Sequence, residues 1–168
     1  MKKCLQRMVF LCCVLIIAAM PLSESHALEG LKLVQAGFTL TDPSREQPKE
    51  FITSITLTKL RGRPLFFLTK IDCETPECKQ QLKSGTVKLI HRWVRTLGTK
   101  LKTIQKREFL PDEIKENTVW SAQVIRVPGD LFIEVRTSDD EKLCLKKDEA
   151  SKKDETFICE FNFRVTLK

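Results

Sequence analysis

The hydrophobic positions after the first thirty residues predict short β-strands separated by turns. Apolar side chains occupy alternate positions from Phe157 to Leu167, and Phe51–Leu57 shows the same period of two. Such alternation places one face of a strand on a core and the other face in water. Leu65–Ile71 is apolar on both faces, which is typical of a central strand. Turns such as Pro128-Gly129-Asp130 separate the segments, and this spacing predicts a β-sandwich or a barrel.

One long segment, Thr86–Gln105, fits two periodicities. It alternates through Trp93 as a strand would, and Gly98 and the following threonine could form a hairpin turn. Its threonines and Gly98 also disfavour a helix. Other apolar residues follow a helical spacing: Val87, Ile90, Val94, Leu97, Leu101 and Ile104. The residues alone therefore leave a helix and a β-hairpin open.

The first 27 residues have the features of a secretory signal peptide. Three basic residues lie in Met1–Arg7, an unbroken apolar run follows over Met8–Met20, and Ala27 ends an A-x-A-like cleavage site. The apolar run is shorter than the roughly 20 residues that span a bilayer easily. We therefore predict cleavage after Ala27, a single domain over residues 28–168, no transmembrane segment after cleavage, and a periplasmic or secreted location. An uncleaved anchor is the alternative.

The cysteines that follow the predicted cleavage site favour disulfides. An even number of cysteines in an exported chain indicates paired thiols. We favour the local pairs Cys73–Cys78 and Cys144–Cys159. Cys159 lies on the apolar face of its segment, but Cys144 lies between two leucines that occupy the apolar face of the partner segment. Because directly opposed antiparallel residues share a face, the second bridge requires an irregularity such as a bulge.

The same cysteines do not have the spacing of a zinc site. Four residues separate Cys73 from Cys78 and fourteen separate Cys144 from Cys159, whereas short thiolate knuckles are closer, and His91 is the only histidine after the cleavage site. Cys73 and Cys78 also do not form a C-x-x-C redox motif. We predict no metal and no cofactor.

Five short motifs, in order, resemble a family of exported bacterial domains of unknown function. That family has F-F-x-T, H-x-W, W-x-S, G-x-W-x-V-x-V and closing F-x-V segments. The matching motifs in this chain begin at Phe66, His91, Trp120, Gly129 and Phe163. Leu131 or Phe132 stands where the family has its third tryptophan. The chain also has longer excursions around Cys73 and at Asp148–Glu155.

The resemblance implies a fold and no activity. It makes Thr86–Gln105 a β-hairpin, and it implies an all-β, immunoglobulin-like antiparallel β-sandwich of about seven to nine strands. The family has no assigned reaction, so the functional hypotheses depend on individual residues of this chain.

His91 is the residue best suited to catalysis. An imidazole with an ordinary pKa near 6.5 can act as a general base if a nucleophile or a carboxylate lies beside it. The sequence contains no G-x-S-x-G, H-E-x-x-H or glycine-rich phosphate motif. A histidine buried in the sheet and hydrogen-bonded there is the interpretation that we favour, and an enzyme with His91 as its base is the alternative.

A basic and aromatic set of residues is the speculative ligand-binding site. The formal net charge of +7 suits a partner that carries anionic groups. Export and the absence of a basic aromatic platform exclude nucleic acid. The set comprises His91, Arg92, Trp93, Arg95 and Trp120. We predict a non-catalytic module that binds a protein or a glycan of the bacterial envelope; a structural subunit of an envelope assembly is a further alternative.

Overall fold

A computed structural model describes residues 29–147 and 156–167. The predicted signal peptide, and the excursion at Asp148–Glu155, lie outside the described residues. The described chain forms two β-sheets packed face to face, so the predicted all-β sandwich is confirmed. No helix in the described part is long and apolar enough to cross a membrane.

The first sheet has five strands. They are β1 (Leu31–Thr39), β3 (Pro64–Cys73), β6 (Thr118–Val124), β9 (Leu145–Lys147) and β10 (Thr156–Ile158). Their order across the sheet is β10-β9-β1-β3-β6. The long central pair, β1 and β3, is antiparallel and carries a register shift between Leu33 and Gln35.

The second sheet has six strands. They are β2 (Ser54–Thr56), β4 (Leu89–Leu97), β5 (Lys100–Phe109), β7 (Gly129–Thr137), β8 (Lys142–Leu143) and β11 (Phe161–Thr166). Five of them follow the order β2-β11-β7-β4-β5, and β8 pairs with β7. Helix α1 (Leu57–Leu60) precedes β3 and helix α2 (Pro76–Ser84) follows it, while Pro111–Glu113 forms a single 3-10 turn.

The sheets differ from the prediction in two details. The described residues contain eleven strands rather than seven to nine, and the pairs β1–β9 and β2–β11 are parallel rather than antiparallel. The additional strands are only two or three residues long, so they are too short to show a period of two in the sequence. Their pairing depends on partners that are distant in the chain.

The ambiguous segment is the antiparallel hairpin β4–β5. Gly98 lies in the turn with φ +60°, in the left-handed region that glycine adopts without strain. Leu89, His91 and Trp93 alternate inward from β4 and are completely buried. Leu101, which fits the helical spacing, is 64% exposed on the outer strand β5. The period of two describes the core contacts of this segment correctly.

Aromatic side chains fill the centre of the sandwich. Phe38 lies 4.9 Å from Phe67 on its own sheet and 4.7 Å from Phe163 on the facing sheet, measured between ring centroids. Trp93 completes this cluster, with its ring 5.9 Å from that of Phe38. Tilted and edge-on contacts of this kind stabilise cores beyond the area that they bury.

Both predicted disulfides are present. Cys73 at the end of β3 bonds to Cys78 in α2, with Cα atoms 5.6 Å apart. Cys144 bonds to Cys159 with Cα atoms 4.2 Å apart. Cys144 lies between β8 and β9, where the chain passes from the six-stranded to the five-stranded sheet, and Cys159 lies between β10 and β11, where it returns. The irregularity that this bridge requires is therefore a pair of strand breaks rather than a bulge.

Candidate functional site

His91 lies in the core and not on a surface. Its side chain is 0% exposed and points from β4 towards the facing sheet. Nδ1 lies 2.8 Å from Ser121 Oγ on β6, and Nε2 lies 2.9 Å from Thr69 Oγ1 on β3. Trp93 Nε1 donates a hydrogen bond of 2.8 Å to the same Ser121 Oγ. These four side chains form one hydrogen-bonded chain across the interior of the sandwich.

The surroundings of His91 keep the imidazole neutral. Burial, assisted by the nearby positive charge of Arg107, lowers the pKa of His91 to about 3. The rings of Phe67 and Phe109 lie 5.1 Å and 4.6 Å from the imidazole, in edge-on arrangements. The neighbouring Ser121 resembles a nucleophile beside a base, but it is also 0% exposed. A substrate has no access to this pair in the described fold, and a group with so low a pKa is a weak base.

Trp93 is also buried completely, so neither His91 nor Trp93 can contact a ligand from solvent. This is a correction to the predicted five-residue binding set. Both side chains point from β4 towards the five-stranded sheet, where they contact Ser121 on β6. The sequence shows which residues of β4 share a face, but only the packing shows that the other sheet covers that face.

Arg92 and Arg95 do not form a common site with Trp120. Arg92 donates to Glu134 Oε2 at 3.2 Å and to Thr103 Oγ1 at 3.0 Å, on the outer face of the six-stranded sheet. Arg95 donates to the carbonyl oxygens of Val127 and Pro128, at 2.5 and 2.6 Å. Both guanidinium groups are therefore engaged within the protein.

Glu134 explains the position of Arg92. This carboxylate is 5% exposed and lies within 3.2 Å of Arg92, 2.9 Å of Arg136 and 2.6 Å of Lys142. Burial raises its pKa, but the hydrogen bonds and charges of Arg136 and Lys142 outweigh that effect, and the pKa of Glu134 is lowered. Arg92 thus takes part in an ion-pair cluster that neutralises a buried charge.

Trp120 is the member of the predicted set that lies at a groove. It is half-buried on the outer face of β6, opposite Leu68 in the register with β3. The groove has a volume of about 680 Å³ and crosses the outer face of the five-stranded sheet. Phe66 supports Trp120 through an edge-on contact of 5.7 Å. The groove is the candidate functional site.

The floor of the groove has an apolar strip and a polar strip side by side. Phe51, Leu68 and Trp120 form the apolar strip. Gly37 makes room for it, because a Cβ atom at position 37 would overlap the Phe51 ring. The polar strip begins two residues further along β3, at Lys70. Gln35 on β1 lies opposite Lys70 on one side, and Thr118 on β6 lies opposite it on the other. All three polar residues line the groove.

Lys70 supplies an unpaired positive charge to this floor. It is exposed, and it forms no ion pair with any residue that the structure describes. The loop 43–48 also lines the groove, as do Glu113, Lys115 and Glu116. An ammonium group beside neutral hydrogen-bonding groups and an aromatic ring can bind a ligand that has both an apolar face and anionic groups.

Arg107 fixes the far side of the groove. Its guanidinium lies 5.1 Å from the Phe109 centroid and 5.7 Å from that of Trp120, and Nη2 donates to Glu113 Oε1 at 2.9 Å. Glu113 Oε2 also accepts from the Leu110 backbone at 2.9 Å. The backbone hydrogen bond and then Arg107 lower the pKa of Glu113 below its usual value. Arg107 is thereby held against the rings in a cation–π arrangement.

The sequence prediction missed Gln35, Phe51, Lys70 and Thr118. Alternation along β3 and β6 places Lys70, Leu68 and Trp120 on one face, and that signal was available. Phe51 was predicted to share one strand face with Ile55 and Leu57. Instead it precedes the short β2 and lies over Gly37, a contact that local periodicity does not reveal.

Comparisons with known proteins do not assign a family. No family model and no curated protein matches the chain. Two solved structures are similar at low identity. The crystal structure of the PmoD soluble domain from Methylocystis sp. ATCC 49242 (Rockwell) is 13% identical, with 78% of this chain and 89% of that chain covered and a TM-score of 0.40. The superoxide reductase (neelaredoxin) from Ignicoccus hospitalis is 10% identical, with 85% and 89% covered and a TM-score of 0.40.

At these similarity values, neither protein informs the function of this chain. The resemblance to an uncharacterised exported bacterial family stays a prediction.

Proposed function

We propose that this protein is an exported, non-catalytic β-sandwich module that binds a glycan of the bacterial envelope in the groove on its five-stranded sheet. The observation that carries the proposal is the pairing of an apolar strip with a polar strip on the groove floor. A sugar ring has an apolar face and a rim of hydroxyl groups, so it can satisfy both strips at once.

Lys70 points to a glycan that carries acidic groups. Its ammonium group has no ion-pair partner among the described residues. Lys70 is two residues beyond Leu68 on β3, and Leu68 lies opposite Trp120. Gln35 and Thr118 flank it on the neighbouring strands and offer neutral donors and acceptors. A uronic acid stacked on Trp120 could place its carboxylate near Lys70 and its hydroxyl groups near the amide and the threonine.

The two disulfides support export. Disulfides form and persist in oxidising compartments such as the periplasm and the extracellular space. A periplasmic or secreted location after cleavage at Ala27 is part of the proposal. An N-terminus at Leu28, found by mass spectrometry of the exported protein, is the expected result. Intact residues 1–27 would contradict this part of the proposal.

A second candidate is a subunit of an envelope assembly. Strand β6 is the edge of the five-stranded sheet in the described fold, and it carries Trp120 beside the groove. An extended segment of another protein could pair with this edge and place its side chains in the groove. The burial and the low pKa of His91 weigh against the third candidate, an enzyme with that residue as its base.

Binding of defined acidic oligosaccharides tests the glycan proposal. Alginate oligomers and peptidoglycan fragments are titrated into the protein, and binding is followed by isothermal titration calorimetry, which does not depend on Trp120 as a reporter. We expect saturable binding by the wild type and a roughly tenfold weaker apparent affinity for Trp120→Ala, since the substitution removes an aromatic contact and its apolar burial, together about 1.5 kcal/mol. Lys70→Gln should weaken binding of the acidic oligomers more than that of neutral chitooligosaccharides.

Phe157→Ala is the matched control. Phe157 is an aromatic residue that is 54% exposed on β10, at the other edge of the same sheet. It should leave oligosaccharide binding unchanged. Equal binding by the wild type and Trp120→Ala, or no saturable binding of any oligosaccharide, would refute the glycan proposal. Capture of one dominant protein partner by a crosslinker placed on β6 would then support the assembly subunit.

A further inference from the structure

One end of the sandwich, which we call the basic end, combines three segments that contain no acidic residue. They are residues 57–64, residues 94–103 and residues 124–129. Every ionisable side chain in them is basic: Lys59, Arg61, Arg63, Arg95, Lys100, Lys102 and Arg126. The three segments therefore carry seven positive charges and no negative charge.

Strand pairing brings the three segments together. Pro64 at the start of β3 lies opposite Val124 at the end of β6. Residues 125–128 then connect β6 of one sheet to β7 of the other, and Arg95 near the end of β4 donates to the carbonyls of Val127 and Pro128. The β4–β5 turn follows two residues beyond Arg95.

The cations at this end are available to a partner. Lys59, Arg61, Arg63, Lys100, Lys102 and Arg126 are exposed, and none of them forms an ion pair with the residues that the structure describes. Two carboxylates at the same end are already neutralised. Asp130 pairs with Arg164 at 2.7 Å, and Asp42 pairs with Arg45 at 3.6 Å.

Exposed aliphatic side chains lie among these cations. Leu97 is 51% exposed and Leu101 64% exposed, on either side of the β4–β5 turn. Val124 and Val127 are 41% and 51% exposed in the connection to β7. Leu167, at the end of β11, is 67% exposed. The basic end therefore presents exposed aliphatic side chains as well as positive charge.

We propose that the basic end docks on the surface of a bilayer that contains anionic lipids. Lysine and arginine near a negative membrane surface are attracted to the headgroups, and aliphatic side chains at protruding turns enter the boundary between headgroups and acyl chains. A soluble polyanion would use the cations but would gain nothing from Leu97 and Leu101. The combination of both kinds of side chain therefore favours a lipid surface. Docking by this end leaves the groove on the side of the five-stranded sheet open.

Vesicle flotation of the full chain tests the proposal. Vesicles of phosphatidylcholine alone are compared with vesicles of phosphatidylcholine mixed with phosphatidylglycerol. We expect the wild type to bind the anionic vesicles more strongly and to lose binding as salt is raised. Lys100→Ser with Lys102→Ser should lower the partition coefficient by about fivefold for each lysine removed. Leu97→Ser with Leu101→Ser should lower it as well.

Lys79→Ser with Lys83→Ser is the matched control, because it removes the same charge from exposed positions of α2 at the opposite end of β3. It should bind like the wild type, and the melting temperature of each variant verifies folding. In molecules that retain it, the apolar segment Met8–Met20 would also bind neutral vesicles. Binding to the neutral vesicles therefore measures the contribution of this segment. Equal binding to both vesicle types, or equal losses in the control and in the lysine variant, would overturn the proposal.

A third result would also overturn it. If the leucine variant binds like the wild type and soluble alginate displaces the protein completely, the basic end is a site for an anionic polymer. The groove experiment is independent of this outcome, because Trp120→Ala changes no residue of the basic end.

Discussion

His91 Nδ1 lies 2.8 Å from Ser121 Oγ, and this hydrogen bond joins β4 of one sheet to β6 of the other inside the core. Ser121 Oγ also accepts from Trp93, and His91 Nε2 reaches Thr69 on β3. A buried polar chain of this kind is favourable only if its members are satisfied. It couples the positions of the two sheets more specifically than apolar contacts can.

Ser121→Ala should destabilise the protein strongly. The substitution removes the partner of both Trp93 Nε1 and His91 Nδ1, and each buried polar group left unpaired costs about 1–3 kcal/mol. We expect the free energy of unfolding to fall by about 2–4 kcal/mol in urea titrations. Ser54→Ala, at an exposed position of β2, is the control and should change it by less than about 0.5 kcal/mol. A loss as small as that of the control would show that the network contributes little.

The pKa of His91 predicts a dependence of stability on pH. The folded-state pKa is about 3, below the ordinary value of 6.5, so in the interval between them the unfolded chain binds a proton that the folded protein excludes. The contribution to stability is complete above pH 6.5 and is lost as pH falls towards 3, by about 1.4 kcal/mol per pH unit.

Urea titrations between about pH 5 and pH 7 isolate this effect, because carboxylates remain ionised there. The wild type should lose stability below pH 6.5, and His91→Gln should abolish the slope in this interval. Predicted cleavage after Ala27 removes His26, so His91 would be the only histidine that titrates in the exported protein. Constant stability of the wild type over the interval would contradict the burial of a neutral His91.

The two disulfides should contribute unequally to stability. In the chain-entropy account, a bridge that closes a longer loop stabilises the folded state more. The Cys144–Cys159 bridge spans 15 residues, so replacing both by serine should cost about 3 kcal/mol. The Cys73–Cys78 bridge spans 5 residues, and its removal should cost about 2 kcal/mol. Melting temperatures of the two double variants test this order, and the reverse order would show that local packing decides.

Gly37→Ala should distort the groove. The new Cβ atom would overlap the Phe51 ring, which then has to leave the apolar strip. We expect a loss of about 1–3 kcal/mol in unfolding free energy, as for other overpacked sites, together with weaker oligosaccharide binding. Phe51→Ala in the same chain should restore most of the stability but not the binding. If the double variant is as unstable as the single one, the cause lies in the backbone at position 37 and not in the ring.

Neighbouring residues show how far the sequence predicted the site. Apolarity on both faces of Leu65–Ile71 predicts a central strand, and β3 is flanked by β1 and β6. The same pattern does not say which of Phe66 and Phe67 faces the second sheet. Phe67 enters the core, while Phe66 supports Trp120 on the outer face. The two tryptophans present the same difficulty. Each is an apolar residue on a strand, but Trp93 lies in the core and Trp120 lies at the groove on the outer face.

The sequence by itself determined the period of two, the cysteines that pair, and the absence of familiar catalytic and zinc motifs. These properties are local, since side-chain alternation and the spacing of cysteines are set by neighbouring positions. The tertiary structure decided the burial of His91, the short parallel strands, the groove beneath the loop 43–48 and the basic end. Each of these depends on segments far apart in the chain, and their contacts form only when the two sheets pack together.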